Sequence, residues 1–148
     1  GGLTHRLNKD DATMIKENDL AVTGESGMQA IVQLLSTIDV NDCGAFLELE
    51  VTNEKDAIVA ASTWKQRQEG DSLPPLVLML DNFGPERSKA MVGELTDMGL
   101  RDAVVLEASG NIVFDDLEAW RECGVDVLST SAINRGTTPL DVSMLIDQ

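Results

Sequence analysis

Four apolar runs each end on a residue that can do chemistry. Lys16 follows Thr13-Met14-Ile15, Glu50 follows Phe46-Leu47-Glu48-Leu49, Asp81 follows the unbroken Leu76–Leu80, and Ser109-Gly110 follows Val104-Val105-Leu106-Glu107-Ala108. Successive ends lie roughly 30 residues apart, the length of one strand-plus-helix unit, so parallel strands bring all four to one rim of a sheet. That rim is where α/β barrels and open α/β sheets place their sites. A cation, two carboxylates and a Ser-Gly turn meeting there suit an anionic, phosphate-bearing substrate. Glu50 and Asp81 could share a magnesium ion through water and substrate oxygens, because magnesium seldom takes a full protein cage. They could also stabilise positive charge in a transition state. The plain alternative is a pair of strand-end acids or helix caps.

Other candidates lie around these ends. His5, the only histidine, stands beside Arg6 and about ten residues before Lys16. Together the three form a donor set for carboxylates, with the Arg6 guanidinium offering a bidentate fork. No neighbouring Cys or His gives His5 a metal-binding pattern, so no metal is expected there. Ser109-Gly110-Asn111 and Ser129-Thr130-Ser131-Ala132 are small polar turns at strand ends that could wrap a phosphate with N–H and hydroxyl groups.

The elements that must position these residues are readable in order. Ala12–Lys16 forms a first strand, and the Met28, Ile31, Val32, Leu34 and Leu35 spacing predicts a helix from about Glu25 to Ile38, capped by Ser26. Ala45–Val51 is the second strand. Thr52 or Asn53 caps a helix carrying Ala57, Ile58, Ala60, Ala61 and Trp64 on one face. Leu76–Leu80 reads as a strand buried on both faces. Pro85 sits at a first helical position, and the helix with Met91, Val92, Leu95 and Met98 stops at Gly99. Ala103–Leu106 is the fourth strand, Phe114–Glu122 a helix ended by Gly124, and Val125–Leu128 and Leu140–Leu145 the last strands. The alternation runs unbroken, without a linker or low-complexity segment.

At 148 residues the chain can bury a single substantial core. It carries 26 acidic against 11 basic residues, a net charge of −15 and a pI near 4.2. Nucleic acid and anionic membrane surfaces are therefore repelled rather than attracted. Such an acidic surface suits a salt-rich cytoplasm, where screening weakens self-repulsion. Melting temperature is expected to rise between low and molar potassium chloride, and equal thermal melts in the two would defeat the halophile-like reading. Cys43 and Cys123 are far apart and outside any Cys-x-x-Cys pattern, which points to a reducing cytoplasm. No run reaches the roughly 20 apolar residues of a membrane span. The start at Gly1-Gly2, without a methionine and directly in a motif, reads as a fragment of a longer protein.

The order of motifs resembles a known family. Gly1-Gly2, Thr4-His5-Arg6, Ile15-Lys16-Glu17-Asn18, Glu48-Leu49-Glu50-Val51, Leu80-Asp81-Asn82, Glu107-Ala108-Ser109-Gly110, Gly124–Ser129 and Pro139-Leu140-Asp141 together are similar to quinolinate phosphoribosyltransferases, over essentially the whole chain. The resemblance implies an α/β fold, the C-terminal part of an open, TIM-like (β/α) barrel with parallel strands. The family's N-terminal domain and first barrel strand, with its Thr-Arg-Lys-Thr segment, lie outside this chain. It implies transfer of phosphoribose from phosphoribosyl pyrophosphate to quinolinate, with decarboxylation to nicotinate mononucleotide, Mg2+ as cofactor and a homodimer or higher oligomer when full length.

By the same resemblance His5, Arg6 and Lys16 bind the pyridine dicarboxylate, and Glu50 and Asp81 stand at the ribose and magnesium–pyrophosphate side. Ser109, Gly110, Asn111, Ser131 and Arg135 receive phosphate. Departures cluster in the phosphate turns. Asn111 and Ser131 replace usual glycines, Arg135 a usual histidine, and Thr4 and Asp19 a usual Asn and His. A paralogue with another aromatic acid acceptor and a non-catalytic fragment are the rival readings.

Overall fold

The computed structural model describes residues 2–135. Five strands, β1 (Thr13–Ile15), β2 (Leu47–Val51), β3 (Leu76–Asp81), β4 (Val104–Ser109) and β5 (Val127–Leu128), make one sheet. Every pairing is parallel, and the strands lie side by side in chain order. Helices α1 (Glu17–Leu20), α2 (Met28–Thr37), α3 (Glu54–Gly70), α4 (Gly84–Asp97), α5 (Leu117–Trp120) and α6 (Ala132–Arg135) fill the connections. The expected strand Leu140–Leu145 and the side chain of Arg135 lie outside the described residues.

Strand alternation sorts the side chains onto two faces. Leu49, Leu78, Leu80 and Leu106 are fully buried beneath Ile31, Leu35, Trp64 and Leu95 of the helices. The alternate residues, among them Glu48, Glu50, Met79, Asp81 and Glu107, face the side without helices. A doubly wound sheet reverses its strand order and carries helices on both faces. Sequential parallel strands with helices on one face instead make an open portion of a (β/α) barrel, as expected from the sequence.

Side-chain bonds fix the helices to the sheet. Asn53 caps α3 by accepting from the Asp56 N–H at 3.0 Å. Trp64 is buried, and its indole N–H donates to the Pro74 carbonyl at 2.9 Å, joining α3 to the entry of β3. Arg67 donates to the Leu35 carbonyl at 2.9 Å near the C-terminal end of α2.

Five expectations need correction. Helix α4 begins at Gly84, which makes Pro85 its second residue rather than its first. Strand β4 runs Val104–Ser109 rather than Ala103–Leu106, since Ala103 closes a 3-10 turn and the pairing with β3 continues to Asp81 and Ser109. Helix α2 begins at Met28 with Gly27, not Ser26, at the cap, because the backbone reverses at Gly27 (φ 57°, ψ −134°). The helix expected over Phe114–Glu122 breaks into a 3-10 turn, Phe114–Asp116, and the single turn α5. Its apolar residues do not share a buried face: Phe114 and Leu117 are exposed, and only Trp120 is buried. Strand β5 is shorter than expected because Asp126 ties the chain to β4 before the ladder begins. Its N–H donates to the Leu106 carbonyl at 2.9 Å, while its carboxylate accepts from Leu106 N–H at 2.7 Å and from Arg101 at 2.7 and 2.8 Å.

Candidate active site

The rim residues gather at the C-terminal ends of the strands, as their spacing predicts. Lys16, directly after β1, donates to the Glu50 carboxylate at the end of β2. Asp81 and Ser109 are register partners at the ends of β3 and β4. Glu50 pairs with Met79, two residues before Asp81, so both acids face the helix-free side.

A chain of amides fixes Asp81. Its carboxylate accepts from Asn82 Nδ2 at 2.7 Å, and Asn82 Oδ1 accepts from Asn111 Nδ2 at 2.9 Å. The Asn82 N–H donates to the Ser109 carbonyl at 2.9 Å. Asn82 and Asn111 both take left-handed backbone, φ 56° and 54°, which asparagine tolerates better than other non-glycine residues. That is how Asn111 can stand where the resemblance implies a glycine. Gly110 has no such substitute. At φ 96°, a Cβ there would lie 2.9 Å from the Asn82 backbone nitrogen and closer still to its side chain. The Ser109-Gly110-Asn111 turn therefore supports Asp81 through Asn82. On the adjacent strand end, the Thr130 hydroxyl donates to the Ile112 carbonyl and accepts from Ala132 N–H at 3.0 Å, leaving Ser131 exposed beside it.

The segment before β1 crosses the helix-free face. It is anchored by the Ala45 N–H, which donates to the Asp11 carbonyl at 2.8 Å. Gly44 permits this approach, since a Cβ there would sit 2.6 Å from that oxygen. Arg6 is half-buried, donating to the Ala12 carbonyl at 3.0 Å with its second nitrogen 3.8 Å from the Met14 sulfur.

His5 does not simply join Arg6 and Lys16 in a free cation cluster. Its Nε2 lies 3.2 Å from Glu107 Oε2 and 3.3 Å from Glu48 Oε2, and its ring stands edge-on to Phe46 at 5.8 Å. Sequence reasoning passed over Glu48 and Glu107 as site residues. The available signal was an acid in the middle of an apolar parallel strand, where burial is costly without a partner.

Glu48 is 0% and Glu107 2% exposed. Burial, and then the neighbouring Glu107 charge, push the Glu48 carboxyl up from its usual 4.5 to about 7, while His5 and Arg6 act in the opposite sense. An acid whose folded pKa is raised favours the fold most below its unfolded pKa. Its contribution declines as pH rises from 4.5 to about 7 and then levels off. In chelator-containing buffer, Glu48→Gln should match the wild type near pH 4.5 and exceed its stability at pH 8 by up to about 3 kcal/mol. Urea melts at both pH values measure this, and a Gln-versus-Glu difference independent of pH would contradict it.

A cleft of about 370 Å³ adjoins the rim between α1, α2 and the start of α3. Glu17, Glu25, Glu50 and Asp56 line it, so it suits anionic substrates poorly. The helix-free face also carries acids, but unlike the cleft it presents cations, Arg6 and Lys16. Among the described residues, no helix is long and apolar enough to cross a membrane.

Comparison with known proteins agrees with this geometry. Residues 1–145 match the family model described as quinolinate phosphoribosyl transferase, C-terminal domain. A probable nicotinate-nucleotide pyrophosphorylase of Methanothermobacter thermautotrophicus is 34% identical over 148 residues, covering 99% of this chain and 47% of that protein. A protein of the same description from Archaeoglobus fulgidus is 32% identical, covering all of this chain and 51% of its own length. The structure of the Francisella tularensis nicotinate-nucleotide pyrophosphorylase superposes with a TM-score of 0.64 at 30% identity, over 90% of this chain and 40% of that one. The chain thus spans about half the length of the curated relatives it matches. With the motif order, the one-sided parallel sheet and the match over nearly every residue in agreement, this chain belongs to the quinolinate phosphoribosyl transferase family, within its C-terminal domain.

Proposed function

We propose that the protein carrying this chain transfers phosphoribose from phosphoribosyl pyrophosphate to quinolinate, releasing pyrophosphate and carbon dioxide and forming nicotinate mononucleotide for NAD biosynthesis. The observation that carries this reading is the convergence of Lys16, Glu50, Asp81 and Ser109 on one strand rim, within a chain matched to the family's C-terminal domain.

In this reading Arg6 and Lys16 hold the two substrate carboxylates, Arg6 as a fork and Lys16 as a point charge. His5, whose Nε2 faces the buried acids, has its Nδ1 edge for the same substrate. Glu50 and Asp81 lie beside the anomeric carbon, where their negative charge stabilises the oxocarbenium-like centre as pyrophosphate leaves. Ser109, Gly110, Asn111, Ser131 and Arg135 receive the 5′-phosphate with hydroxyl, N–H and guanidinium donors.

The rim's donor set fits Mg2+. Glu50 and Asp81 are hard oxygen ligands on one face, and within the rim Asp81 has a single side-chain donor, Asn82. Bound through water and substrate oxygens, the ion would neutralise charge on the departing pyrophosphate. We also infer a cytoplasmic, acid-rich and salt-tolerant enzyme that works as a homodimer or larger oligomer.

Incubating the full-length protein with phosphoribosyl pyrophosphate and either quinolinate or nicotinate tests the reading. Nicotinate mononucleotide with carbon dioxide should form from quinolinate only. Preference for another aromatic acid would favour the paralogue, and no product from any acceptor the non-catalytic rival.

A further inference from the structure

The Glu48–Glu107–His5 cluster lies on the helix-free face, its two glutamates two residues before the rim residues Glu50 and Ser109 on the same strands; the proposed reaction engages His5 only through Nδ1 and neither glutamate. We infer that it is a divalent transition-metal site, with His5 Nε2 and one oxygen from each glutamate as ligands.

Three observations carry this. The three ligand atoms lie within 4.8 Å of one another, with Nε2 3.2 and 3.3 Å from the two carboxylate oxygens. Ligands at about 2.0–2.2 Å from a tetrahedral ion stand about 3.3–3.6 Å apart, close to the two His5–glutamate separations. Second, Glu48 is completely buried, and neither of its carboxylate oxygens has a hydrogen-bond donor among the described residues. The same holds for Glu107 Oε1. Third, two buried carboxylates share a single imidazole, and Arg6 donates to the Ala12 carbonyl rather than to either of them. Buried carboxylates persist when paired, protonated or bound to a metal.

One imidazole nitrogen with two carboxylate oxygens, and a fourth position left for water, is a donor set used by Zn2+ and its Co2+ substitute. Phe46, edge-on to the His5 ring, holds the imidazole in register. The grouping is not readable as a motif, because the ligands come from positions 5, 48 and 107, with no short spacing between them.

The test uses the full-length protein, stripped with chelator, without substrates. Zn2+ alone, followed by calorimetric titration, should bind at one site per chain and raise the melting temperature. Co2+ should give the intense visible bands of a four-coordinate nitrogen–oxygen site. Glu107→Gln and His5→Ala should each weaken binding by about tenfold or more. Glu48→Gln should do the same while folding at least as well as the wild type, since it removes a buried charge. Asp81→Asn should bind like the wild type, because the rim is a separate site. No binding to stripped wild-type protein would mean that protons alone neutralise the cluster and would overturn the inference. So would binding that survives Glu107→Gln and His5→Ala, or binding abolished by Asp81→Asn.

Discussion

Asp81→Asn in the full-length protein is expected to lower kcat by about 10²- to 10³-fold and to leave quinolinate affinity nearly unchanged. The substitution preserves the local frame. An amide oxygen at position 81 can still accept from Asn82 Nδ2, and Gly110 continues to allow the approach of Asn82 to the β4 turn. What disappears is a negative charge at the end of β3, where positive charge develops in the proposed transition state. A loss confined to turnover is the signature of an interaction made only there. Steady-state assays paired with calorimetric titration of quinolinate separate the two quantities. Normal turnover would remove Asp81 from the catalytic role.

Arg6→Ala is expected to have the opposite signature, raising the quinolinate Kd by about 10- to 150-fold in the absence of the phosphoribosyl donor. The change removes a charge-assisted fork of about 1.5–3 kcal/mol. Arg6 also donates to the Ala12 carbonyl, so part of any loss could come from loosening the segment that crosses the sheet. Arg6→Lys separates these effects: it keeps the charge without the planar fork and should bind with intermediate affinity. Wild-type affinity in Arg6→Ala would assign the dicarboxylate to other residues.

These predictions rest on features with unequal visibility in the chain. The strand ends were plain because apolar runs such as Leu76–Leu80 stop abruptly at a charge, and parallel connectivity puts every such end on one rim. The partners of Asp81 were hidden, since Asn82 and Asn111 meet only after two left-handed turns. The surroundings of His5 were hidden for a related reason. Its neighbours in sequence are cations, whereas its neighbours in space are acids on β2 and β4. Helical periodicity misled around Phe114–Glu122, because a repeating pattern makes a helix only where another element covers its apolar face.

A crystal structure of the full-length protein with quinolinate tests the central claim most directly. The account predicts the pyridine ring on the helix-free face of the sheet, one carboxylate within about 3 Å of the Arg6 guanidinium and the other within the same reach of Lys16 Nζ. The ring nitrogen should face Glu50 and Asp81. Quinolinate seated in the acidic cleft beside α1, or bound without contact to either Arg6 or Lys16, would contradict it.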